Sequence, residues 1–224
     1  KAITTSGDEL AEELALAKEK GLVLEEAMTI YNMPLYHRLK EIVASGKLGK
    51  LKMIQAPFGS YKDPDPQNRF FNPDLGGGAL LDIGTYAVSF ARFFMSESPK
   101  VEFSSMKPFE TGVDEQSVTI LRNPADEMAS VILTFQAKMP KTGIVAFEEG
   151  YITVEEYPRA DKATIHYLDG SNEFIETGDT TQALNYEIAN MIKTIEGTSK
   201  GSIHLTSDVI AVLDQMQQFW KQTK

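Results

Sequence analysis

The chain has 224 residues, 42% hydrophobic and 24% charged, which is enough apolar material for a sizeable core. A formal net charge of −10 argues against nucleic acid or an anionic membrane as partner, since both recruit clustered Lys and Arg, and no apolar run approaches a membrane span. Cysteine is absent, which removes disulfides and thiol chemistry and fits a reducing, cytoplasmic location.

In chain order, "SGDE" at 6–9 is a capping box, with Ser6 as N-cap and Glu9 able to reach back. Leu10, Leu14 and Ala17 follow at helical spacing, and Gly21 sits where a helix-ending glycine belongs. "LVLEEAM" at 22–28 predicts a short strand. Pro34 opens a second helix with Leu35, Leu39, Ile42 and Val43 on one face, closed by Gly46. Residues 50–61 read as a strand and 62–78 as a long, turn-rich loop, a kind of segment that is commonly functional in compact domains. A helix is expected over about 78–95. Between 101 and 175 come six or so β-rich runs split by turn residues, among them "FEEG" at 147–150, which reads as a hairpin turn. Two helices close the chain, over about 181–196 and 206–221, the second capped by Thr206 or Ser207. Short connections between strands imply a mainly antiparallel sheet, so the expected class is α+β: an open-faced sheet with helices on one side. Strands such as "MASVILTFQAK" alternate too weakly to give a polar outer face, which predicts a homodimer formed through the sheet.

The stretch "GGGALLDIGTY", 76–86, concentrates the chemistry. Three glycines let a ligand or another backbone approach closely, and they precede an apolar helix carrying Asp82 and Tyr86 four residues apart on one face. A buried carboxylate needs a partner, so Asp82 is either paired inside the fold or faces a pocket. On the plainer alternative it caps a neighbouring loop, and Tyr86 bonds a backbone carbonyl. The glycines do not make G-x-G-x-x-G, because Leu81 stands where the third glycine belongs, and no such fingerprint occurs elsewhere. His37, His166 and His204 are far apart and lack metal-ligand spacing, so they read as surface or packing residues and no metal site is expected.

This stretch resembles the G-G-G-x-L-x-D-x-G-x-[HY] signature of the Gfo/Idh/MocA oxidoreductases. "EAMTIYNMP" at 26–34 is similar to the segment that follows the last nucleotide-domain strand in dihydrodiol-dehydrogenase-like members, and "GKLGKLKMIQAPFG" looks like the entry to the substrate domain. The resemblance implies NAD(P) as cofactor of the parent protein and a sugar or cyclic diol as small-molecule substrate. It also implies that 1–27 is a remnant of the nucleotide-binding Rossmann domain and 28–224 the substrate-binding and dimerisation domain. Lys1 then stands in the place of the family's catalytic lysine, Asp82 orients the substrate hydroxyl, and Tyr86 donates or accepts the proton, with an ammonium beside it to stabilise the phenolate. Arg69, in the long loop, contacts substrate or anchors the loop by an ion pair. Tyr31 stands in a substrate-side position where relatives often carry Arg. Glu26 serves the cofactor region or a structural hydrogen bond, and Gly77 and Gly78 bring the helix close beneath the nicotinamide. Without the glycine fingerprint, the chain by itself is expected to bind no cofactor and to be inactive. The rival reading is a non-catalytic ligand-binding or dimerisation module of the same fold.

Overall fold

A computed structural model describes residues 1–222. Helix α1 (Gly7–Lys20) starts at Ser6, whose hydroxyl accepts the Glu9 N–H, and ends at Gly21 in the left-handed conformation, φ 64°. The Glu9 carboxylate reaches one residue past the N-cap, to the Thr5 N–H and hydroxyl, both at 2.8 Å. The helix docks on α6 (Ile203–Gln222), where the Gly7 N–H bonds the Asp214 carboxylate at 2.8 Å.

The strand expected over 22–28 is not formed. The segment is extended, but its anchoring bonds run through side chains: Glu25 accepts from the Ser202 N–H and hydroxyl, and Glu26 from the Ile3 N–H and the Thr206 hydroxyl. β-rich composition supplies the extended backbone, but a strand also needs a neighbour to pair with, and the sheet of this chain lies elsewhere. One turn of helix, α2 (Thr29–Asn32), follows, and then α3 (Pro34–Ala44), which buries Leu35, Leu39 and Ile42 as its spacing predicts.

Eight strands form one sheet. They are β1 (Leu51–Gly59), β2 (Lys100–Pro108), β3 (Asp114–Arg122), β4 (Met128–Thr134), β5 (Gly143–Phe147), β6 (Gly150–Val154), β7 (Lys162–Tyr167) and β8 (Asn172–Glu176). Their order is β2-β3-β4-β1-β5-β6-β7-β8, antiparallel throughout except for the parallel β1–β4 pair. The expected α+β class holds. β8 begins inside "LDGSNE", which reads as a turn by composition; the turn is real but short, and His166 pairs with Asn172 across it. The hairpin at "FEEG" forms as expected between β5 and β6.

One face of the sheet carries α4 (Thr85–Phe94) and α6 over a continuous core. Ile54, Ala56, Leu121, Val131, Leu133, Val145 and Ile152 point into it and are at most 1% exposed. Tyr36, Phe90, Phe93, Phe94 and Tyr157 pack as an aromatic cluster with ring centroids 4.8–6.3 Å apart. Arg92 of α4 bonds Asp208 of α6 at 2.7 Å, tying the two helices together. Trp220, on the last turns of α6, donates its indole N–H to Ser104 of β2 at 2.8 Å, and Ser104 in turn shares a bond with Thr119. The last two helices begin differently from expectation. α5 (Ala183–Ile195) is preceded by a 3-10 turn at Thr180–Gln182, and α6 starts three residues before Thr206, so Thr206 and Ser207 are interior and cap nothing. The Thr206 hydroxyl is engaged by Glu26, which is why its capping chemistry misleads.

The other face of the sheet is bare and sets exposed apolar side chains among polar ones such as Gln55, Ser130 and Thr164. Phe103 stands opposite Ile120, Val118 opposite Ile132, Met53 opposite Ala146, and Ala146 opposite Tyr151. Phe103 is 53% and Phe174 61% exposed.

Candidate active site

The helix expected over 78–95 is two pieces. A π-helical turn, Leu80–Gly84, leads into α4, with the Thr85 N–H reaching the Leu80 carbonyl five residues back. Such a turn inserts one residue and rotates the following face by about 100°, and it is frequent at functional sites. Between Ala79 and Met95 every side chain is buried except Leu81, Asp82, Tyr86 and Arg92. Asp82 and Tyr86 are thus polar openings in a largely submerged helix, Arg92 being turned to Asp208 of α6.

The last two glycines before it, Gly77 and Gly78, are required by the chain's own atoms. A Cβ on Gly77 would lie 2.7 Å from the Asn72 carbonyl, and one on Gly78 would collide with the Asp114 carboxylate. Gly78 also takes φ +112°, which L side chains rarely adopt. Asp114, at the start of β3, is buried and accepts the Leu80 N–H at 2.8 Å, so one carboxylate fixes both the glycine turn and the first turn of the helix. Burial pushes its carboxyl up to about 7.

Lys1 joins this helix from across the sequence. Its Nζ donates to the Asp82 carbonyl at 2.6 Å and to the Thr85 hydroxyl at 3.2 Å, and it stands 3.7 Å from the centroid of the Tyr86 ring. Burial pulls the ammonium down to about 8, against the attraction of Asp82 and Glu26. Arg69 pairs with the Asp82 carboxylate at 3.3 Å and lies over Phe70, so of its two expected roles the loop-anchoring ion pair is present. Glu26 is buried, and it holds the structural hydrogen bonds described above.

Tyr86 packs against Phe58 and is half-buried, which raises its phenol above the usual range. Of the groups pulling it back down, the charge of Arg159 comes first. The expected ammonium, that of Lys1, covers the ring face. Arg159 follows β6, in a 3-10 turn at Tyr157–Arg159 that nothing in the local sequence marks as functional.

Tyr31 does not join the Tyr86 group directly. It is stacked on Phe93 in the core, with its hydroxyl beside Ser89, and burial raises its phenol strongly. One side of it lines an adjacent cavity of about 390 Å³ together with Glu26, Asn32, His37, Glu187 and Asn190. Lys1, Asp82 and Tyr86 are not on that wall; the link is electrostatic, through Glu26 onto Lys1 and Glu187 onto Tyr86. Among the described residues no cluster of His, Asp or Glu is arranged to hold a metal, and no helix is long and apolar enough to cross a membrane.

The profile of the GFO/IDH/MocA C-terminal domain matches residues 36–153, more than half of the chain. The chain belongs to the Gfo/Idh/MocA family. Trans-1,2-dihydrobenzene-1,2-diol dehydrogenase of Xenopus tropicalis is 29% identical over 189 residues, 83% of this chain and 56% of the relative. D-xylose 1-dehydrogenase (NADP(+)) 2 of Haloferax volcanii is 28% identical over 200 residues, 88% of this chain and 61% of the relative. The chain thus spans little more than half the length of these curated relatives. Among solved structures, levoglucosan dehydrogenase in complex with NADH and levoglucosan superposes with a TM-score of 0.84 at 20% identity, over all of this chain and 71% of that one. KijD10, a 3-ketoreductase from Actinomadura kijaniata in complex with NADP and TDP-benzene, gives 0.84 at 18% identity, over 97% and 69%. At these identities the superpositions establish the fold of this Gfo/Idh/MocA chain and nothing finer.

Proposed function

We propose that this chain is the substrate-binding part of an NAD(P)-dependent oxidoreductase acting on a secondary alcohol or carbonyl of a sugar or cyclic diol. The observation that carries the reading is the convergence of Lys1 on Asp82, Thr85 and Tyr86, groups more than eighty residues away in sequence, on a helix that otherwise hides its side chains. Tyr86 takes the hydroxyl proton during oxidation and returns it during reduction. Asp82 and Arg69 orient the substrate oxygens, and Tyr31 shapes the neighbouring cavity. Lys1 holds positive charge against the ring of Tyr86. A nicotinamide, when bound, supplies the hydride acceptor or donor. The residues of this chain fit only the reacting end of such a cofactor: the Cβ positions of Gly77 and Gly78 face Asn72 and Asp114, so this turn is no cradle for a pyrophosphate. In this reading Glu26 serves the cofactor side through Lys1, residues 1–27 belong with a nucleotide-binding domain, and 28–224 form the substrate domain. The bare sheet face pairs two copies.

The deciding assay uses the full-length protein with NAD or NADP and a panel of aldoses and cyclic diols. Tyr86→Phe keeps the ring and removes the hydroxyl, so kcat should fall by about 10²–10⁴-fold while the melting temperature barely moves. Substrate KM should move less, because the loss falls mainly in the transition state. Wild-type kcat in that variant would overturn the assignment.

A further inference from the structure

The backbone that carries Lys1 is fixed on its own side of the molecule. The Ile3 N–H bonds the buried Glu26 carboxylate at 3.1 Å, and the second oxygen of Glu26 accepts the Thr206 hydroxyl of α6 at 3.1 Å. The Thr4 hydroxyl bonds the Ser6 carbonyl at 2.9 Å, just ahead of α1. These bonds bring Lys1 to the π-helical turn, but a lysine ends in a flexible stem, and its direction is set by what the ammonium meets. Among the described residues it pairs with no carboxylate. That of Asp82 is turned to Arg69, and both oxygens of Glu26 are occupied. What the ammonium meets is a pair of neutral acceptors, the Asp82 carbonyl at 2.6 Å and the Thr85 hydroxyl at 3.2 Å. Between them Nζ stands 3.7 Å from the centroid of the Tyr86 ring. A carbonyl is present whatever residue occupies position 82; the hydroxyl depends on the side chain at 85. Thr85 is 1% exposed, its N–H is tied to the Leu80 carbonyl, and its branched Cβ restricts the rotamers open to that hydroxyl.

We propose that Thr85 is a positioning residue for Lys1: its buried hydroxyl is the acceptor that aims the ammonium across the face of the Tyr86 ring. This rests on the reading of Lys1, Asp82 and Tyr86 as the reacting group. One acceptor fixes where an ammonium is held; a second fixes which way its stem lies. Without the hydroxyl, Lys1 keeps only the Asp82 carbonyl and can swing about that single bond. Asp82 and Glu26 would then draw the charge toward their carboxylates, while Arg69 and Arg159 repel it. Positive charge at the ring favours the phenolate, so its misplacement should slow proton transfer more than it weakens substrate binding.

The test reads Lys1 itself by NMR of this chain with labelled lysine, the signal being assigned by its loss in Lys1→Met. An ammonium over a ring face carries its ε-methylene into the shielding region of the ring, so this signal should lie upfield of those of exposed lysines. Thr85→Val removes the hydroxyl and keeps the branched shape, and it should abolish most of that displacement. Thr85→Ser keeps the hydroxyl and should preserve it. Thr85→Ala removes the same hydroxyl and takes the place of the Val variant should that one prove unstable. In the full-length enzyme, kcat of Thr85→Val should fall about tenfold with little change in KM, and Thr85→Ser should restore most of it. An unchanged Lys1 signal without the hydroxyl, or a displacement lost equally in Thr85→Ser, overturns the proposal. The NMR result does not depend on turnover. A displacement lost in Thr85→Val with wild-type kcat therefore supports the positioning role and overturns only the reading of Lys1 as part of the reacting group.

Discussion

Asp114 is a buried carboxyl group that accepts the Leu80 N–H, and burial is the main influence on it. Its folded-state value of about 7 lies above its ordinary 3.8, so the folded protein keeps a proton that the unfolded chain has released. Its contribution to stability is full below the unfolded value and is lost as pH rises through the folded one. Urea midpoints should therefore fall between about pH 4 and pH 7 by this contribution, and Asp114→Asn should flatten that part of the profile. Glu26 is shifted the same way by burial, so the difference between variant and wild type, rather than the raw slope, is the measurement. At Asp82 the expectation concerns function. Asp82→Asn in the full-length enzyme removes the Arg69 pair and should damage both kcat and KM, because orientation is lost along with charge. The exposed pair itself contributes at most about 1 kcal/mol, so the melting temperature should hardly change.

The glycine turn and the helix after it work as one element. Gly78→Ala forces a side chain into φ +112° and against the Asp114 carboxylate, and it should destabilise by more than the ~1 kcal/mol of an ordinary glycine exchange. Gly76→Ala meets open space but keeps a left-handed φ of +67°, so its loss should be the smaller of the two in urea unfolding. Much of this element was legible in the sequence: the three glycines, the buried apolar run, and the pairing of Asp82 with Tyr86 all stand out. The π-helical turn was not, because its five-residue hydrogen bond leaves no compositional trace. The role of Asp114 was equally hidden, since a carboxylate 34 residues from its partner carries no spacing signal. Arg159, whose charge acts on Tyr86 from 73 residues away, escaped for the same reason. The segment over 22–28 shows the opposite failure. There the β pattern is clear, but the sheet of this chain offers it no neighbour.

At the scale of the molecule, the order of the strands followed from nothing local. A reader of the sequence can expect antiparallel hairpins between β5 and β8, but the parallel contact of β1 with β4 closes over a stretch containing α4, β2 and β3. Apolar side chains on the open face were expected from weak alternation, and the exposed Phe103, Val118, Met53 and Tyr151 give a direct test. Light scattering should return about twice 25 kDa at micromolar concentration, and Val118→Lys, exposed between Ile132 and Ser105, should return the monomer with little change in the fold. The isolated chain should show no saturable response to NADPH at micromolar concentration. A clear one would mean that residues of this chain hold more of the cofactor than its reacting end.

The chain's single tryptophan is Trp220, bonded to Ser104 and lining a hollow with Gly76, Gly77, Leu80 and Asp114. Excited at its red edge, this one indole reports on the glycine turn without interference from a second emitter. With cysteine absent, a single thiol placed on the Arg159 turn or the open sheet face would take a dye at one position only. This chain thus comes ready for distance measurements between the glycine turn and whatever approaches it, with no background residue among its 224 to remove first.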